Sequence, residues 1–505
     1  MKFVICSISF NSNSFLLTIS DASNCNGPAA MLTQTGTKAS LRRADGAGEG
    51  LRDPTVTIAG RVYTTDQWLN TPSTILDSVS RRLHLKQDHP VSITRQLIES
   101  RFRGFRTYND LFPVVTIDQN FESLGFPQDH PGRNRTDTYY INKNILLRTH
   151  TSAHQADVFR SNQSDGWLIS ADVYRRDAVD RSHYPVFHQM EGAMTWDRRT
   201  LQPGQSLAEK VWQDLSALPT NDLEVSDPNP TIHPEHNPLQ SQFHSLEEVE
   251  AISVHLKRSC ENFVAEIFTR AKAASISSAS EKPNESMHEP LKVRWVEAYF
   301  PFTSPSWELE VFWKGDWLEV LGNGIVKQEI LNDAGVPTRS GWAFGVGLER
   351  IAMLLFDIPD IRLFWSKDPR FLSQFKAPTV SLDGTIARDW QINRFQPFSK
   401  HPSAPRDVSF WLRSTSSSAG GHPASASPHD FHENDVMEIV RTEAGDCVED
   451  VRLVDEFTHP KSGRRSLCYR IGYRSLERTL TNEEANEMHE RIRQRLVEKL
   501  GVELR

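Results

Sequence analysis

Cysteine is scarce in this chain. Its 505 residues include five, Cys6, Cys25, Cys260, Cys447 and Cys468, and no two form a C-x-x-C pair. That pattern argues against a zinc site or a disulfide framework and fits a reducing compartment. Long apolar runs are absent, so no membrane span is expected. Excess positive charge is absent too. The net charge is −8, so any contact with a polyanion must come from local basic patches. There is no G-x-S-x-G elbow to present a nucleophilic serine. Nor is there a G-x-G-x-x-G followed by a distant acid, which disfavours a dinucleotide fold.

The length suggests two to four domains. Residues 1–55 stand apart. Met1 to Ser20 has one lysine and no acid, with many Ser, Asn and Phe. This composition suits an organelle transit peptide. A secretory signal is the rival, disfavoured by the missing cysteine framework, and a misassigned start is a third reading. A first folded region is expected over 56–375, with a flexible Ser-, Pro- and Glu-rich insertion at 271–290. A linker over 376–392 leads to a second region, 393–505, interrupted by a low-complexity insertion at 413–434.

The periodicity predicts an α+β chain. His89 to Phe102 reads as a helix with Ile93, Leu97, Ile98 and Phe102 on one side. "GWLISADVYRRD" carries a strand. "SWELEVFWKGDWLEVLGNG" reads as a hairpin turning at Lys314-Gly315-Asp316. Near the end, Thr481 and Glu484 form a capping-box pattern that opens an amphipathic helix, and Gly501 stops it.

Three stretches could carry chemistry. "RTHTSAHQADVF" packs His150, Ser152, His154 and Gln155 into six positions. "DVYRRDAVDRSHYPVFHQMEG" reads as strand, polar loop, strand, with Arg175 and His183 bracketing the loop. Phe187, Gln189 and Glu191 alternate onto one face of the returning strand. An arginine fork can hold phosphate, a phenylalanine can stack a purine, and an amide with a carboxylate can hold an ammonium. The rival is a salt-bridged, exposed sheet. In "RSGWAFGVGLERIAMLLFDIPDIRLFW" a glycine-rich strand becomes a helix that buries Leu348, Ile351, Ala352, Leu355 and Phe356. Gly345 and Gly347 leave room above the strand. Arg350 falls on the first helical turn, where the helix end favours an anion; a structural ion pair is the alternative.

The second stretch resembles motif 2 of class II aminoacyl-tRNA synthetases, and "GWAFGVGLER" looks like motif 3. "DHPGRNRTDTYY", "RTHTSAHQ", "YFPFTSPSWELEV" and "WLEVLGNGIV" resemble phenylalanyl-tRNA synthetases, in particular their single-chain mitochondrial form. "FQPFSKHPSAPRDVSFWL" and "LGVELR" are similar to that family's C-terminal domain. The resemblance implies an antiparallel-sheet catalytic domain followed by a ferredoxin-like anticodon-binding domain. It implies that ATP activates phenylalanine, with Mg²⁺, for transfer to tRNA(Phe) by a monomer in the mitochondrial matrix. A non-catalytic synthetase-like RNA-binding protein is the alternative.

Roles follow from the resemblance. His150, Ser152, Gln189 and Glu191 would anchor the amino group. Gln155 and Arg175 would face the carboxylate. Ala153, His154 and Met190 come with those runs. Phe300 and Phe302 would meet the substrate ring edge to face. Ala343 would leave space for the ring, and Phe344 and Glu319 would complete the pocket. Phe187 would stack adenine, Ser182, His183 and Tyr184 would line the nucleotide site, and Arg350 would hold the β- and γ-phosphates. Arg175, His183 and Arg350 would be the catalytic charges. Ser304 stands where the bacterial pattern has a glutamate, which leaves the metal ligands open, with Glu319 the better candidate. The basic stretch from Lys461 to Arg478 is expected to form a hairpin in which Lys461, Arg464 and Arg465 meet tRNA phosphates.

Overall fold

A computed structural model describes residues 54–278, 290–381, 386–387, 390–397, 401–413 and 431–505, without the side chains of 275–278. Most of the expected transit segment, with Cys6 and Cys25, lies outside the described residues. So do 279–289 and 414–430 of the two insertions and part of the expected linker.

The first region is built on one eight-stranded sheet. Its strands in chain order are β1 (Arg106–Tyr108), β2 (Gly166–Tyr174), β3 (Val186–Asp197), β4 (Glu224–Ser226), β5 (Lys292–Glu297), β6 (Thr303–Trp313), β7 (Asp316–Val326) and β8 (Arg339–Gly347). The spatial order is β1-β2-β3-β8-β7-β6-β5-β4. Only the edge pairs β1–β2 and β4–β5 are parallel. The β6–β7 hairpin turns as its sequence requires. Lys314 and Gly315 both take positive φ, 53° and 92°, the backbone of a two-residue hairpin turn.

Helices α1 (Pro90–Glu99), α2 (Gln155–Ser161), α3 (Leu246–Ser278) and α4 (Leu348–Phe356) accompany this sheet. Side chains alternate along a strand, so each strand feeds both faces. Met190, Trp342, Phe344 and Val346 share the main core with Ile93 and Leu97 of α1, Phe263 of α3 and Ile351 of α4. On the other face Ile169, Ala193 and Ala343 pack with Val158 and Phe159 of α2 in a smaller core, and the site lies beside it.

α3 extends into the stretch expected to be a loop. Ala271 and Ala274 are buried in the core, three residues apart on one helical face. Small alanines among serines show little apolar period, although they suit a helix crowded against a sheet. The expected linker is also partly packed. Ile386 and Ile392 are buried in the first region's core. Phe395, expected in the second region, joins that core too, and its N–H donates to the carbonyl of Phe356 at 2.7 Å.

The second region has a four-stranded antiparallel sheet of β9 (Ala404–Trp411), β10 (Val448–Thr458), β11 (Arg465–Tyr473) and β12 (Glu503–Leu504), in the order β10-β11-β9-β12. α5 (Glu433–Ala444) and α6 (Asn482–Leu500) bury Val436, Val440, Ile492 and Leu496 with Phe410, Tyr469 and Ile471 of the sheet. Thr481 and Glu484 make the capping box of α6, and Gly501, at φ 61°, ends it.

The loop between β2 and β3 docks on the second region. Arg176 pairs with Asp435 at 3.0 Å, and Arg181 with Glu449 at 2.8 Å. The N–H of Val451 donates to the carbonyl of Val179 at 2.9 Å, and Val179 itself joins the second region's core.

Candidate active site

The open face of the sheet has a floor of glycines. Across β3, β8, β7 and β6 the register pairs Glu191 with Gly345, Gly345 with Gly322, and Gly322 with Glu308. Gln189 faces Gly347, and Ala193 faces Ala343, which faces Gly324. A side chain built on Gly345 would meet nothing within 4 Å, so the strand itself is bare there. At Gly322 the space is already used, because the Phe300 ring lies 2.5 Å from where a Cβ would stand.

One end of the floor is a buried polar cluster. Glu191 is 2% exposed. Its carboxylate accepts from Gln155 Nε2 at 2.7 Å and from Thr151 Oγ1 at 3.2 Å. Ser152 is a further hydrogen-bonding neighbour. The Gln189 side-chain oxygen accepts from the N–H of Thr151 at 3.3 Å. Burial pushes the Glu191 carboxyl up to about 7 despite these donors. Gln155 Oε1 is buried and has no hydrogen-bond partner among the described residues. A carboxylate and an orphaned amide oxygen together call for a donor-rich cation. Burial and the charge of Arg175 depress His150 to about 3, so its imidazole is neutral. It stacks on Phe126 at 5.6 Å and stands 6.5 Å from Phe302. Phe302 in turn lies near-parallel to Phe300, 6.0 Å away.

The other end is cationic and aromatic. The Arg175 guanidinium lies 5.3 Å from the Phe187 ring centroid and donates through Nε to the carbonyl of Thr149 at 2.7 Å. Asp180 organises the loop. One of its oxygens accepts from the N–H groups of Ser182 and His183, and the other meets His183 Nδ1 at 2.7 Å. The bond to Asp180 raises the His183 pKa. Arg350 is exposed on the first turn of α4, and its charge is felt by His183, Glu308 and Glu319. Burial and the neighbouring carboxylates of Glu319 and Glu310 push Glu308 up to about 7. Glu319 is raised chiefly by burial. Among the described residues no three His, Cys, Asp or Glu side chains form a metal cluster.

The structure thus gathers Ser152, Gln155, Arg175, Phe187, Gln189, Glu191 and Ala343 on one face, with Arg350 at its edge. Several expected residues lie elsewhere. Met190 and Phe344 point to the helix-covered face, because strand alternation puts neighbours of Gln189 and Ala343 on the opposite side. Ala153 is buried in a small separate core with Phe121 and Leu146. His154 turns away to Arg148, 2.8 Å from its Nε2, beside the buried Arg148–Asp172 ion pair. Tyr184 donates to Asp446 of the second region at 3.0 Å and stacks on Trp365. Sequence reasoning missed Thr151, Asp180 and Glu308. Only Glu308 left a signal, through its alternation with Glu310 in the hairpin.

The basic stretch forms the expected hairpin, but its arginines are paired. Arg464 meets Glu503, and Arg465 meets Glu456, each at 2.6 Å. Arg470 grips Asp407 with two bonds of 2.7 Å.

Comparison with known proteins accords with this layout. Residues 76–220 and 248–375 match the tRNA synthetases class II core domain (F), and 399–505 match the ferredoxin-fold anticodon binding domain. The chain is 47% identical over 477 residues to the mitochondrial phenylalanine–tRNA ligase of Saccharomyces cerevisiae, covering 90% of this chain and 96% of that one. Identity to the mitochondrial phenylalanine–tRNA ligase of Mus musculus is 38%, covering 90% of each. It is 37% to the chloroplastic/mitochondrial phenylalanine–tRNA ligase of Arabidopsis thaliana, covering 88% and 84%. With a class II core joined to a ferredoxin-fold domain and near-full-length likeness to these enzymes, the chain belongs to the phenylalanine–tRNA ligase family of class II aminoacyl-tRNA synthetases.

Proposed function

We propose that the chain charges mitochondrial tRNA(Phe) with phenylalanine, working as a monomer in the matrix. The observation that carries this reading is the glycine floor around Gly345, with a buried carboxylate and amides at one end and Arg175, Phe187 and Arg350 at the other. The polar end takes the amino acid: Glu191, Gln189, Ser152 and the free amide oxygen of Gln155 hold its ammonium, and Arg175 lies toward its carboxylate, so Gln155 serves the opposite end of the substrate from the one the resemblance implied. Its ring runs toward Ala343, Phe300 and Phe302. The adenine stacks on Phe187, Arg175 meets the α-phosphate, and Arg350 meets the pyrophosphate portion.

The phenylalanine carboxylate attacks the α-phosphorus, the bond to the β-phosphate oxygen breaks, and pyrophosphate leaves. The terminal ribose hydroxyl of tRNA then attacks the acyl carbon and AMP departs. Catalysis is positioning and charge stabilisation by Arg175, His183 and Arg350. Mg²⁺ bound to the phosphates would offset their negative charge. Such an ion needs only one or two protein carboxylates, and the crowded Glu308 and Glu319 fit that need.

For tRNA, the second region offers the sheet face opposite its helices. Trp411 and Phe457 flank Ser466 in one cross-strand row. The Arg505 guanidinium stands 5.5 Å from the Trp411 ring and 5.7 Å from that of Phe457. Aromatics and arginines on an open sheet suit unstacked bases. ATP–pyrophosphate exchange across the amino acids, with a tRNA(Phe) charging assay beside it, tests the whole reading. Exchange with phenylalanine and charging of that tRNA are expected; exchange with another amino acid, or none, would reject it.

A further inference from the structure

The ladder between β3 and β8 ends at the pair Gln189–Gly347. Beyond it β8 becomes α4, and backbone pairing cannot continue. Glu349, the second residue of α4, takes over. Its Oε2 accepts from the backbone N–H of His188 at 2.7 Å, and its Oε1 meets His188 Nδ1 at 2.6 Å. Both side chains are buried, at 0% and 3% exposure. His188 Nε2 is buried without a hydrogen-bond partner among the described residues. With a carboxylate as its partner, Nδ1 is therefore the atom that carries the proton.

His188 and Glu349 face away from the floor. Their chain neighbours do not. Phe187 and Gln189 flank His188 on the opposite side of β3, and Arg350 follows Glu349. A carboxylate held by two donors from one residue fixes both distance and angle between the strand and the helix start. We infer that His188 and Glu349 are positioning residues that set Arg350 at the right reach from a nucleotide whose base lies on Phe187. The inference rests on the nucleotide reading above.

The full-length protein tests it, with KM and kcat for ATP and for phenylalanine measured separately in pyrophosphate exchange and thermal melting alongside. Glu349→Ala removes both acceptors, so the backbone N–H and Nδ1 of His188 lose their tie to the helix start. We expect kcat/KM for ATP to fall about 10- to 100-fold, as for a misplacement near 1 Å, with the KM for phenylalanine unchanged. His188→Asn puts an amide N–H where Nδ1–H stood and gives up only an unpartnered nitrogen and ring packing. It should retain most of the activity, while His188→Ala should fall in the same way as Glu349→Ala. Losses shared equally between ATP and phenylalanine would overturn the inference in favour of a plain structural pin. So would a folded Asn variant no better than Ala. Normal ATP kinetics in Arg350→Ala and Phe187→Ala would instead remove the nucleotide reading beneath it. If those two are crippled while Glu349→Ala and His188→Ala are normal, the positioning role alone has failed.

Discussion

Glu191 stands directly across the β3–β8 ladder from Gly345. One is a buried carboxylate, the other a backbone with nothing above it. That emptiness yields a prediction. Gly345→Val has space to fold, because no atom lies near the new Cβ. It should melt close to the parent protein yet lose exchange activity, since the valine would occupy the floor. A folded variant with normal KM values for ATP and phenylalanine would move the substrates elsewhere.

Arg350→Ala should cripple adenylate formation. A preorganised charge donor contributes about 2–4 kcal/mol to a transition state. Exchange should therefore fall by two to three orders of magnitude, on the order of what one such donor contributes, with melting unchanged. Near-normal turnover would reject the phosphate role.

Glu191 makes the site pH-sensitive. Its carboxyl is raised to about 7 by burial, against an ordinary glutamate near 4.3. The folded state thus binds the proton more tightly than the unfolded state. This contribution to stability is full below the unfolded pKa and is lost as pH rises through about 7. An ammonium ligand favours the ionised form, so phenylalanine should bind more tightly as pH rises over the same window and should release a proton. Calorimetry in buffers of different ionisation enthalpy measures that release. Glu191→Gln should weaken binding and abolish the proton release; release that persists would assign it to another group.

Ala343 lies at 4% exposure on the floor side of β8, opposite Ala193 and Gly324. Ala343→Gly should enlarge the ring end and admit para-substituted phenylalanines. Exchange assays with such analogues decide this, and unchanged discrimination would place the ring away from Ala343.

The second region predicts a split between activation and charging. Trp411→Ala or Phe457→Ala should weaken tRNA binding by about 1–3 kcal/mol, the usual worth of one stacked base, and leave exchange intact. Arg464→Ala with Arg465→Ala should flatten the salt dependence of tRNA affinity, because each lost phosphate contact releases fewer counterions. Loss of exchange equal to the loss of charging would defeat this division. An unchanged salt slope would show that Arg464 and Arg465 remain with Glu503 and Glu456 in the complex.

Local pattern alone determined a good deal. Period 2 put Phe187, Gln189 and Glu191 on one face, and period 3.6 buried Leu348, Ile351 and Leu355 beneath Arg350. The Thr481–Glu484 box and Gly501 bounded α6 at the residues predicted. These features depend on chain neighbours, so they are written in short windows. Tertiary structure decided which face each residue served. Met190 and Phe344 sit within the right motifs but on the helix side, because the pleat alternates whatever the motif. Tyr184 found its partner far along the chain, Asp446 on the second region, and His154 turned to Arg148, which its pair with Asp172 of β2 holds in place. The Arg464–Glu503 pair, like the Glu349–His188 clamp, joins residues that no local period relates. Distance in sequence and direction in space are fixed only when strands pair and helices pack, and that is where the site acquires its geometry.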